Sequence, residues 1–91
     1  MSFIWDRTKA EANRRKHGVD FADAIGALED PLALTQPDPF PAELRFATVG
    51  RDLLDRLVVV IWTRDQADIR LISARLATPR ERRVHTEDPY A

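Results

Sequence analysis

The chain has 91 residues, 44% of them apolar, with fourteen Lys and Arg against fifteen Asp and Glu and no cysteine. That length supports one small core and no second domain. The missing cysteines exclude a disulfide framework, a thiolate nucleophile and a Cys-rich zinc cage, and a small unstapled domain suits a reducing cytoplasm.

Net charge is −1, but the charge is unevenly spread. Residues 1–17 carry Arg7, Lys9, Arg14, Arg15 and Lys16 against Asp6 and Glu11, whereas residues 18–44 hold six acids and no Lys or Arg. Twelve of the fourteen cations are arginine, the residue whose rigid fork matches phosphate or carboxylate. A local anion site fits this distribution better than a uniformly basic coat. The longest apolar run, Leu57 to Trp62, is too short to span a membrane, and the N-terminus has no apolar segment behind basic residues, so a cytoplasmic protein without a membrane partner is expected.

Phe3-Ile4-Trp5 is a short apolar stretch where a strand-to-helix switch is expected, ended by Asp6, which is placed to cap a helix from Arg7 to Lys16 closed by Gly18. Phe21, Ala24, Ile25 and Leu28 recur at helical spacing and predict a second helix, capped by Asp20 and ended at Asp30-Pro31. Leu32 to Thr35 reads as a brief strand, and Pro37 to Pro41 as an exposed loop. Leu44 to Gly50, Leu57 to Trp62 and Ile69 to Arg75 predict an antiparallel meander, with a turn over Arg64 to Ala67. Thr78-Pro79-Arg80-Glu81 combines a Thr cap, Pro at the first helical position and the Glu of a capping box, so a last helix should run to about Glu87 and fray at Asp88-Pro89.

His17 and His85 are far apart in sequence, and neither has a metal-ligand partner at helical spacing, so no metal site is expected. The isolated glycines exclude a phosphate-binding loop, and no cofactor is expected. What remains is a polar set: Lys9, Asn13, Lys16 and His17 on the first helix, Glu43 and Arg45 at a strand entrance, and Arg70, Ser73 and Arg75 along the last strand. An arginine within a strand must snorkel, pair with an acid such as Glu43 or Asp6, or face an anion site. Trp5 and Trp62 lie in apolar runs and read as core.

The order of three segments resembles the BrnT ribonuclease toxins of bacterial type II toxin–antitoxin modules. These are Phe3-x-Trp5-Asp6-x-x-Lys9-x-x-x-Asn13-x-x-Lys16-His17-Gly18-Val19-x-Phe21, then Asp30-Pro31 with Glu43-x-Arg45-Phe46, then Arg70-x-Ile72-Ser73-Ala74-Arg75-x-Ala77 with Glu81-Arg82. The resemblance implies an α+β fold like that of RelE-type toxins: a small, mainly antiparallel twisted sheet with two N-terminal helices and one C-terminal helix. It also implies a metal-independent endoribonuclease that inhibits translation and pairs as a hetero-oligomer with a BrnA-like, DNA-binding antitoxin. Cleavage without a metal proceeds by attack of the RNA 2′-hydroxyl on the adjacent phosphorus, which needs a base, an acid and cations to hold the extra negative charge. Arg45, Arg70, Arg75 and Lys16 are candidates for the charge work, His17 and Glu43 for the proton work, and Lys9, Asn13 and Ser73 for RNA contacts. The acids from Asp20 to Glu43 are expected away from the RNA cleft or facing the antitoxin. The competing expectation is a non-catalytic homologue that binds its partner in a regulatory complex.

Overall fold

The computed structural model describes residues 2–39 and 43–87. In chain order these form β1 (Phe3–Ile4), α1 (Arg7–His17), α2 (Phe21–Leu28), β2 (Leu34–Asp38), β3 (Arg45–Arg51), β4 (Leu57–Asp65), β5 (Asp68–Leu76) and α3 (Pro79–Glu87). The five strands form one mixed sheet in the order β1-β5-β4-β3-β2. β1 runs parallel to β5, and the other three pairings are antiparallel. The architecture is α+β.

Local chemistry accounts for most element ends. Asp6 accepts from the Lys9 N–H at 2.8 Å, and Gly18 closes α1 in the left-handed region at φ 72°, beyond a last turn of Arg14, Arg15, Lys16 and His17. Asp20 precedes α2 without a side-chain capping bond and instead lies 3.7 Å from Arg14. At α3 the expected capping box is present: the Glu81 N–H donates to Thr78 Oγ1 at 3.2 Å, and the Thr78 N–H donates to Glu81 Oε1 at 2.8 Å. Residues 40–42 and 88–91, which include the end of the proline-rich loop and the expected frayed tail, lie outside the described residues.

The first proline of that loop is not in a loop. β2 extends through Pro37 and Asp38, which pair with Phe46 and Arg45. This is tolerated because β2 is an edge strand, where a missing N–H costs no ladder bond.

One sheet face carries the larger core, and a smaller cluster of Leu57, Val59 and Ala77 lies on the other. Val19, Phe21, Ala24 and Ala27 pack on Val58 and Val60 of β4 and on Ile69, Leu71 and Ala74 of β5, with Trp5 and Trp62 at its margin as expected. Trp5 meets Phe21 edge-on, and Trp62 stacks on Phe46 at 4.7 Å while its indole N–H donates to Thr48. Gly50 lets α2 approach β3 closely, since a Cβ there would lie 2.7 Å from the Ala27 carbonyl oxygen.

α1 packs on the core through Ala10 and is hydrogen-bonded to the sheet through Asn13. Among the described residues, β1 covers β5 only at Ile69 and Arg70, so the outer edge of β5 beyond them has no strand neighbour. Asn13 takes the place of that neighbour. Its Oδ1 accepts from the Ala74 N–H at 3.1 Å, and its Nδ2 donates to the Ala74 carbonyl at 2.8 Å and to the Val19 carbonyl at 3.0 Å. The side chain is buried, with 7% of the residue exposed, and its hydrogen-bonding groups are engaged. Asn13→Ala would strand buried backbone groups and is expected to cost about 2–4 kcal/mol. Thermal unfolding should show a drop of at least about 10 °C; a drop of under about 3 °C would mean that the edge finds other partners.

Candidate active site

The register of β3, β4 and β5 decides which side chains share a face. Arg45 pairs with Thr63, and Thr63 with Arg70; Ala47 pairs with Ile61, and Ile61 with Ser73; Val49 pairs with Val59, and Val59 with Arg75. Directly opposed residues point to the same side. Arg45, Arg70, Ser73 and Arg75 therefore stand together on the face opposite α1 and α2, in three rows that span roughly 13 Å along the strands. Arg70 and Arg75 are an odd number of residues apart and would normally diverge. They share a face because the register shifts between Ile61 and Trp62, where β5 carries Ile72 as an extra residue.

Arg45, Arg70 and Arg75 each meet a carboxylate. Arg45 lies 3.5 Å from Asp38, and Arg70 lies 3.1 Å from Glu43 and 3.6 Å from Asp65. Arg75 holds Glu81 in a two-pronged contact, with bonds of 2.8 and 2.9 Å. The expected pairing of Arg70 with Glu43 is present, whereas Asp6 is used as a helix cap. Asp38, expected with its neighbouring acids away from the RNA cleft or facing the antitoxin, stands beside Arg45. The Arg75 bond holds the Glu81 carboxyl at about 2, below its ordinary 4.5, with hydrogen bonds from Thr78 adding to the effect and burial opposing it. The same bond raises Arg75.

α3 borders this face and closes a groove of about 390 Å³. Val49, Val59 and Ile61 line it from the sheet, and Arg75, Arg80, Glu81 and His85 line it from the α3 side. No ion pair joins Arg80 to another described residue, and both His85 ring nitrogens are buried without a hydrogen-bond partner among the described residues. His85 had no place in the sequence-derived set because its helix was recognised by its cap alone. The spacing Glu81, Val84, His85 at i, i+3 and i+4 is the signal that puts these residues on one helix face.

The rest of the expected set lies elsewhere. α1 packs on the core side through Asn13 and Ala10, so Lys9, Lys16 and His17 belong to the layer across the sheet from Arg45, Arg70 and Arg75. A single cleft containing His17 and the strand arginines is not what the fold builds. Asn13 is a buried structural tie whose amide has no N–H left to donate to RNA. No three His, Cys, Asp or Glu residues form a metal-ligand group among the described residues, and no helix among them is long and apolar enough to cross a membrane.

The depressed Glu81 carboxyl makes stability depend on pH. A group whose folded value lies below its unfolded value stabilises the fold above the unfolded value, and that contribution fades as pH falls through the folded one. Glu81→Gln keeps a side-chain oxygen for Thr78 but removes the charge. The variant should be about 1–2 kcal/mol less stable than the parent near neutral pH, a figure reduced for solvent screening of this half-open pair. Urea unfolding at several pH values should show that difference shrinking between about pH 4.5 and pH 2. A constant difference would assign the loss to the capping bond.

Residues 5–81 match the model of a family described as the ribonuclease toxin BrnT of type II toxin–antitoxin systems. Among solved structures, the chain is similar to the crystal structure of the Brucella abortus ribonuclease toxin BrnT, with 30% sequence identity and a TM-score of 0.65; the similarity covers 86% of this chain and 97% of that one. The comparison with curated proteins gave no match. The motif order, a family match over most of the chain and the shared fold lead to one conclusion: the chain belongs to the BrnT ribonuclease toxin family of type II toxin–antitoxin systems.

Proposed function

We propose that the chain is a metal-independent endoribonuclease toxin that cleaves RNA on the sheet face bearing Arg45, Arg70 and Arg75 and so suppresses translation. Its partner in this reading is a cognate DNA-binding antitoxin of the BrnA kind, in a cytoplasmic hetero-oligomer. The observation that carries the reading is the register that collects three strand arginines and Ser73 on one sheet face, with Arg75 lining the groove, although they come from distant parts of the sequence.

The chemistry follows from those side chains. Attack of a 2′-hydroxyl on phosphorus develops negative charge on the phosphorane, and guanidinium groups already fixed in place stabilise it without reorganising. Spacing along the strands lets a single-stranded RNA touch the Arg75 row and the Arg45–Arg70 row together, with Ser73 between them. Glu43 is held against Arg70, and its role in this reading is to fix that guanidinium. The proton work needs a group on the same side of the sheet, which His17 is not.

The direct test is incubation of the purified chain with single-stranded RNA in EDTA. Products ending in 2′,3′-cyclic phosphate are expected, and intact RNA would favour the non-catalytic binding partner. Arg70→Ala and Arg75→Ala should each slow cleavage by about 10²-fold or more, while Arg14→Ala, on the exposed side of α1, should leave the rate unchanged.

A further inference from the structure

The groove between α3 and the sheet contains an imidazole that the fold itself leaves unsatisfied. His85 sits four residues after Glu81 on α3, and its Nδ1 and Nε2 are each buried without a partner among the described residues. A neutral imidazole has one N–H to donate and one lone pair to fill, and burying both without partners costs free energy unless a ligand or water completes them. The surroundings indicate which ligand. Arg75 and Arg80 supply positive charge at the same groove, and Asp38 and Glu81 are its lining carboxylates. Asp38 lies beside Arg45 and Glu81 is bound to Arg75, so Arg80 is the lining cation without an ion pair among the described residues. The apolar side chains of Val49, Val59 and Ile61 give a base or sugar a dry surface to rest on.

Resting on the nuclease reading above, we infer that His85 is the catalytic imidazole of this chain: it contacts the scissile nucleotide in the α3 groove and accepts the 2′-hydroxyl proton. In that step the O2′–H bond breaks and its proton passes to the free ring nitrogen. The O2′–P bond forms, the P–O5′ bond breaks with its electron pair leaving on O5′, and water protonates the departing oxygen at the open side of the groove. Arg75 and Arg80 face the phosphate as its charge increases. Glu81 keeps Arg75 and the first turn of α3 in place, which fixes where the ring four residues later stands.

The test has two arms. In the first, the ring signals of both histidines are followed by NMR in the full chain while an uncleavable 2′-O-methyl oligoribonucleotide is added. The His85 signals should shift and saturate; shifts confined to His17, or none, would overturn the inference. In the second, His85→Gln and His17→Gln are assayed for RNA cleavage in EDTA. His85→Gln should fall by about 10²-fold or more with its unfolding temperature kept, and His17→Gln should stay within about threefold of the parent. Cleavage by His85→Gln within about threefold of the parent would overturn the inference. A parent chain that fails to cleave while His85 still shifts would overturn the nuclease reading and the proton step but uphold the groove as the RNA contact.

Discussion

Arg70 and Arg75 are five residues apart on one strand, and an unbroken pleat would send them to opposite sides of the sheet. The extra residue at Ile72 changes the parity, so that Ile69, Leu71 and Ala74 all face the core while Arg70, Ser73 and Arg75 all stand on the opposite face, where Arg75 lines the groove. A bulge leaves the ladder locally incomplete, and here the strand edge beyond it is bare of strand neighbours as well. The Asn13 amide bonds both polar groups of Ala74 within this stretch. One buried side chain on the core side thereby holds the register that arranges the charged side chains across the sheet.

The open face is balanced in charge, and this shapes how it can bind an anion. Arg45, Arg70 and Arg75 each lie beside a carboxylate, but the Arg45 and Arg70 pairs are partly exposed, and pairs of that kind contribute only about 0–1 kcal/mol net. A phosphate offers the same planar guanidinium an equally good two-pronged acceptor, so exchanging carboxylate for phosphate costs little at Arg45 and Arg70. Arg75 differs. Its carboxylate also forms the capping box of α3, so releasing it would loosen the helix that lines the groove. Arg75 therefore fits a role at a fixed position with its carboxylate in place, and the two more distant arginines fit exchange.

Local signals in the sequence were enough for the helices and the middle of the three long strands, because each rests on chemistry within a few residues: Asp6 and Gly18 around α1, Thr78 and Glu81 at α3, Pro31 after α2; β4, however, runs on past its expected end at Trp62 to Asp65. Three features depend on distant partners and left no such mark. β1 was signalled as a short apolar strand before α1, but its parallel place beside Ile69 and Arg70 was not. Asn13 looks like one member of a polar helical stripe with Lys9 and Lys16, and only the bare edge of β5 shows why it is an amide. Asp38 belongs to a stretch without any cation in sequence, yet its partner is Arg45, seven residues on and directly across from it in the β2–β3 ladder. The site was legible on its strands, where Arg45, Arg70, Ser73 and Arg75 do share a face. On α1 it was not, because helix spacing says nothing about which side of a sheet the helix will cover.

The most direct measurement is a crystal structure of the chain with an uncleavable 2′-O-methyl oligoribonucleotide bound. The account predicts phosphates at Arg75 and Arg80 beneath α3, with the strand continuing past Ser73 toward Arg45 and Arg70. RNA lying along α1, in contact with Lys9, Lys16 and His17 across the sheet from those arginines, would contradict it.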